Sequence, residues 1–121
     1  MGETLLEQLA GAVDDNRLQA ALRQSVAELD GLDWGTVAGH CRRRALVDAR
    51  YRAWSVYSTL AADHRGDTLA RIFHRDRTTI ICGLRTHGVF MYVDDAYARR
   101  YNQLLRAVVD KLLAFQPYAI I

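Results

Sequence analysis

The sequence predicts an all-α fold, and three observations carry that expectation. The only proline, Pro117, lies close to the C-terminus, so no interior residue removes a helical amide or clashes with the preceding turn. Ala, Leu and Arg, all strong helix formers, are plentiful. Apolar residues recur at helical spacing, most cleanly at Tyr97, Tyr101, Leu104, Leu105, Val108 and Leu112. With 121 residues, 50% hydrophobic and 25% charged, the chain suits one core and is short for two ordinary domains. A single domain over 1–121 is therefore expected, with acidic helices in 1–33, a core region over 34–92 and a C-terminal helix over 94–115.

Taken in order, Thr4-Leu-Leu-Glu7 is a capping box, in which the hydroxyl and the carboxylate satisfy amides at a helix start. Leu5, Leu6, Leu9 and Val13 follow on one face. Asp14-Asp15-Asn16 interrupts this helix and caps a second, which carries Leu18, Leu22, Val26 and Leu29 and closes at Asp30-Gly31. A short helical turn is expected over 36–41, with Trp34 and Val37 inward. The triplet Arg42-Arg43-Arg44 precedes a longer helix whose apolar stripe is Leu46, Ala53, Trp54, Tyr57, Leu60 and Ala61. His64-Arg65-Gly66 is expected to end it, with Gly66 in a left-handed C-terminal position. Asp67 or Thr68 then caps a brief helix containing Leu69, Ile72 and Phe73. A tight turn at His74-Arg75 leads to a helix with Ile80, Leu84 and Met91 inward, and the last helix starts at Asp94-Asp95. There is no internal repeat, low-complexity tract or linker.

Several function classes are disfavoured. No apolar run approaches the roughly 20 residues that span a bilayer, and the N-terminus lacks the basic start and apolar stretch of a signal peptide. Gly2 lacks the Ser or Thr at position 6 that myristoylation wants, since Leu6 stands there. Cys41 and Cys82 fit no ligand spacing and read as reduced thiols of a cytoplasmic protein. A metal site from His40, Cys41, His64 and His74 is disfavoured because these residues are scattered. Ser55 and Ser58 lie on a helix with no elbow, and no paired carboxylates stand out, so an enzyme is not expected. His87 reads as a helix-surface residue, and nothing singles out Tyr51 or Tyr92 as phosphate contacts.

The formal net charge of +2 conceals an asymmetry. Residues 1–33 carry −5, residues 34–88 carry +6 from ten arginines against four aspartates, and the remainder carries +1. All the basic residues except Lys111 are Arg, the residue suited to bidentate recognition of phosphate and base edges. Within this basic centre, residues 67–91 read as a short helix, a tight turn and a longer helix with polar residues at its start, the layout of a helix-turn-helix. The second helix opens with Asp76-Arg77-Thr78-Thr79. A carboxylate there can accept from cytosine N4, Arg can grip guanine, and a Thr methyl can pack on thymine. Asp76 equally suits a helix N-cap with no further role.

Residues 42–91 resemble the C-terminal DNA-binding domain of the bacterial chromosomal replication initiator DnaA. The matching stretches are Arg42-Arg43-Arg44-Ala45-Leu46-Val47-Asp48-Ala49-Arg50, Tyr57-Ser-Thr-Leu60, Leu69-Ala-Arg-Ile-Phe73 and, most specifically, Arg75-Asp-Arg-Thr-Thr-Ile80. The resemblance implies a DnaA C-terminal or Trp-repressor-like helical domain, here with extra N-terminal and C-terminal helices. It implies sequence-specific binding of double-stranded DNA in replication initiation or transcription control, at the nucleoid. Arg42, in a basic loop with Arg43 and Arg44, would enter the minor groove, and Arg50 would hold the phosphate backbone. Arg75, Asp76, Arg77, Thr78 and Thr79 would lie in the major groove or on its flanking phosphate.

The departures concern specificity. Arg77 stands where the family has histidine, which favours guanine at that base, and Cys82 replaces a later histidine donor. The apolar pair that opens the family's first motif helix falls near Gly66-Asp67. Alignment needs one inserted residue before Leu69 and a deletion at the turn. No G-x-x-x-x-G-K-[ST] loop occurs, so no nucleotide or other cofactor is expected, and the chain reads as a stand-alone relative of the reading head. The rival expectation is a protein-interaction module on the same fold, which binds a partner or a second copy through its N-terminal or C-terminal helices. The apolar tail Phe115–Ile121 fits that rival.

Overall fold

The computed structural model describes residues 15–114. The capping box at Thr4, the helix expected to follow it and the tail Phe115–Ile121 lie outside the described residues. Within them the protein is all-helical, with six helices and no strand: α1 (Asp15–Asp30), α2 (Trp34–Ala38), α3 (Arg44–Leu60), α4 (Gly66–Phe73), α5 (Arg77–Val93) and α6 (Asp95–Ala114).

Local chemistry sets most of the helix ends. Gly31 takes φ +67° and donates its amide to the Ala27 carbonyl, which closes α1 in the left-handed conformation open to glycine. The Asp33 carboxylate accepts from the Thr36 amide at 3.0 Å and so starts α2. That helix is Trp34–Ala38 and stops short of the expected Cys41. The Asp94 carboxylate accepts from the Tyr97 amide at 3.1 Å and starts α6.

The junction between α3 and α4 differs from expectation. Helix α3 ends at Leu60, with Ala61 extended at φ −73°, ψ 142°. Gly66 is not a left-handed terminator; it is the first residue of α4, and neither Asp67 nor Thr68 occupies the N-cap. Asp63 instead organises the corner, accepting from the Arg65 amide at 3.2 Å and the Thr68 hydroxyl at 2.8 Å. The Arg65 guanidinium, which donates to both carboxylate oxygens at 3.0 Å, holds the Asp63 carboxyl below the usual range, with Thr68 second.

One core draws on all six helices. Leu18, Leu22 and Val26 of α1 meet Ala49, Ala53 and Leu60 of α3 and Leu104, Val108 and Leu112 of α6, while Val37, Leu69 and Ile80 complete it from α2, α4 and α5. Leu29, expected on the inward face of α1, is 43% exposed. Phe73 at the end of α4 is the aromatic hub, with ring centroids 5.9 Å from Trp34, 6.3 Å from Trp54 and 5.6 Å from Tyr57. It anchors the short α4 against α2 and α3, and so determines where the turn into α5 falls.

Candidate nucleic-acid interface

The turn between α4 and α5 is His74-Arg75-Asp76. His74 is left-handed, at φ 54°, ψ 47°, and its amide donates to the Ala70 carbonyl. A non-glycine residue in this region is uncommon, and here it reverses the chain between two packed helices. Asp76 then caps α5, accepting from the Thr79 amide at 2.7 Å. That bond lowers its pKa, so the carboxylate is charged at the positive end of the helix dipole. Asp76, Arg77, Thr78 and Thr79 are all exposed, whereas Ile80 is fully buried. The first turn of α5 is thus a polar projection on an apolar root. Arg77 pairs with Asp67 at 3.2 Å, linking the starts of α4 and α5.

The basic triplet lies between α2 and α3. Arg42 and Arg43 are exposed, and their side chains have no hydrogen-bond or ion-pair partner among the described residues. Arg44 is exposed as well, but it pairs with Asp48 at 2.9 Å and lies 4.8 Å from the centroid of the Phe90 ring.

Arg50 and Arg75 reach the same region in another way. The C-terminal carbonyls of a helix lack intrahelical partners, and in α2 these two guanidiniums supply them. Arg50 donates its Nε to the Val37 carbonyl at 2.5 Å, and Arg75 donates to Ala38 at 3.1 Å and to Gly39. Arg50 is buried, at 6% exposure, so it is no open surface clamp for a phosphate. Burial chiefly, and then the charge of Arg75, lower its pKa. The sequence shows both charges but not their direction, because the carbonyls that claim them are backbone groups of a different segment.

A cleft of about 560 Å³ joins these parts. His40 and Arg42 line it from the loop, Arg50, Tyr51 and Trp54 from α3, and Arg75, Asp76 and Thr79 from the turn and α5. Of the nine residues expected to act together, five therefore share one cleft, and Arg77 and Thr78 stand beside it on the same exposed helical turn. Arg43 and Arg44 do not line it.

His87 departs from its expected surface place. It is half-buried between α5 and α6, with Nδ1 2.7 Å from the Tyr97 hydroxyl and its ring centroid 4.5 Å from that of Tyr101. Burial, and to a lesser extent the charge of Arg52, lower its pKa to about 4. No group of three or more His, Cys, Asp or Glu side chains among the described residues is placed to hold a metal, and none of their helices is long and apolar enough to cross a membrane. Compared with known proteins, the chain matches no family model, no curated protein and no solved structure.

Proposed function

We propose that the protein binds duplex DNA, with the first turn of α5 presented to the major groove and the Arg42–Arg44 loop reaching the neighbouring minor groove or backbone. One observation carries this reading: Arg42, Asp76 and Thr79, from segments more than thirty residues apart in the chain, line one basic cleft beside exposed Arg77 and Thr78. A short α4, a three-residue turn and a 17-residue α5 with an exposed polar start suit a helix-turn-helix. The resemblance of residues 42–91 to the DnaA DNA-binding domain supports the same reading, with replication or transcription control at the nucleoid as its setting. On this reading Arg42 and Arg43 reach DNA freely, Arg77 reads a base, and Arg50 and Arg75 hold the loop and the turn in register.

The test is binding to a random pool of short duplexes, read by fluorescence anisotropy across a salt series and followed by selection. Binding is expected to fall steeply with salt, because each phosphate contact releases counterions. Replacing both Arg42 and Arg43 with Ala is expected to lower the slope of log affinity against log salt by about 2. Arg77→Ala is expected to relax base preference at one position, at a cost of about 1–3 kcal/mol. Absence of binding at low ionic strength, or the same loss from the two variants on every sequence, would overturn the reading.

A second reading has its own observation. Val89, Tyr92 and Val93, on the C-terminal half of α5, are 57%, 90% and 67% exposed. A patch of this kind is the signature of a protein-protein contact, and a protein-interaction module would use it. Tyr92→Ser separates the two readings: it is expected to leave duplex binding intact if the start of α5 is the reader.

A further inference from the structure

We propose that a second copy of this chain docks on the C-terminal end of α5, the two α5 helices meeting antiparallel so that Arg85 of each copy faces Asp95 of the other. Val89, Tyr92 and Val93 stand at helical spacing on one side of α5, and they are 57%, 90% and 67% exposed. Ala96, exposed at the start of α6, continues the face. Apolar residues scattered singly over a surface are ordinary. Three together, one of them an aromatic ring almost wholly in water, mark a contact surface.

Charge selects the occupant. Arg85 stands one helical turn before Val89, and Asp95 opens α6 just beyond Val93. Both are exposed, and their side chains have no hydrogen-bond or ion-pair partner among the described residues. Asp94, between the two helices, is engaged in capping α6. The apolar face therefore carries an unpaired cation at one end and an unpaired anion at the other. Such a face complements itself: a two-fold axis through its middle sets each Arg85 against Asp95 of the other copy. A parallel pairing sets like charges together and is disfavoured. The uniformly negative backbone of a nucleic acid would meet Asp95 and three apolar side chains, so it does not suit this face.

The inference goes beyond the DNA reading and does not rest on it. Thr79 lies ten residues before Val89, about 15 Å along the helix axis. The first turn of each α5 thus stays outside the overlap, and a single copy remains able to bind a short duplex.

The test is sedimentation equilibrium of the full chain at low salt, without DNA, from about 10 μM to about 1 mM. The contact is smaller than a standard interface, so a weak, reversible dimer is expected. Tyr92→Ser is expected to stay monomeric throughout. Arg85→Glu and Asp95→Arg are each expected to raise the dissociation constant about tenfold, because each turns two attractive pairs into repulsive ones. Combining the two reversals restores opposite charges across the interface and is expected to recover the dimer. All three positions are exposed, and circular dichroism checks that each variant keeps its helices. A chain monomeric up to about 1 mM overturns the proposal and leaves the face to a different partner. Association unchanged in Tyr92→Ser overturns the surface, and a double variant as weak as the single ones overturns the antiparallel pairing.

Discussion

At the scale of single residues, His87 joins two helices and makes the fold sensitive to acid. The pKa of His87 lies near 4, against 6.5 for an unburied imidazole. The unfolded chain therefore binds more protons than the folded one between those values, and stability rises with pH across that window. The contribution is complete above pH 6.5 and is lost progressively as pH falls toward 4. Carboxylates such as Asp63, whose pKa is held below the ordinary carboxylate range by its bonds to Arg65 and Thr68, lose their contribution only at still lower pH. Urea denaturation between pH 7 and pH 4.5 is expected to show a falling midpoint, and His87→Gln to flatten that fall while Tyr97 keeps a polar neighbour. An unchanged slope in the variant would show that His87 takes no part.

Asp76 poses the other residue-scale question, because a helix cap and a base contact use the same carboxylate. Asp76→Asn retains an N-cap acceptor and is expected to leave the melting temperature near that of the unaltered protein, whereas Asp76→Ala lowers it. Selection from the random duplex pool is expected to change in both variants if the carboxylate reads a base. If only Asp76→Ala changes it, the residue acts as a cap alone. Sequence reasoning placed Asp76 correctly at the start of a helix, where it is the N-cap, and the base contact is what the two variants test. It erred on His87 because a lone histidine in a helix carries no mark of what the next helix brings against it.

At the scale of elements, the packing of α5 on α3 turns on Gly83. A Cβ built there would lie 2.6 and 2.8 Å from ring atoms of Trp54 and 3.0 Å from Tyr51. Gly83→Ala gains helix propensity of about 1 kcal/mol, but forcing a buried ring aside costs about 1–3 kcal/mol, so a net loss of stability is expected. Gly88, on the same helix, is exposed and has nothing within 4 Å of a Cβ. Gly88→Ala is therefore expected to stabilise by about 0.5–1 kcal/mol. The two substitutions, compared in one denaturation series, test whether α5 is pinned at Gly83; changes of the same sign would refute it. The sequence shows both glycines inside a helix and cannot tell them apart, because the distinction lies in which one faces Trp54. Gly66 failed as a terminator for a similar reason. Five residues separate α3 from α4, so the glycine falls at the start of one helix and not at the end of the other, and Asp63 supplies the corner.

At the scale of the whole molecule, the division of the chain into an acidic N-terminal part and a basic centre is partly consumed within the fold. Asp30, at the end of α1, lies 3.5 Å from Arg52 of α3 and 3.7 Å from Arg100 of α6, and Glu28 lies 2.7 Å from Lys111. The helical pattern disclosed α1, α3 and α6 individually. That their charges would close on one another was not legible, since it depends on how three helices cross. The side chains of Asp30 and Arg52 retain only 7% and 6% of their exposure, while Arg100 retains 62%. Removing one member of a buried pair strands the other, at about 3–5 kcal/mol, whereas an exposed partner contributes about 0–1 kcal/mol. Asp30→Ala is accordingly expected to lower stability by about 3 kcal/mol and Arg100→Ala by less than about 1 kcal/mol. Because one core includes residues from all six helices, Asp30→Ala should unfold in a single transition. Tryptophan fluorescence from Trp34 and Trp54, far-UV circular dichroism and their midpoints in urea are then expected to coincide. Loss of helical signal ahead of the tryptophan transition would mean that α1 detaches first, and that Asp30 holds one helix in place without coupling the three.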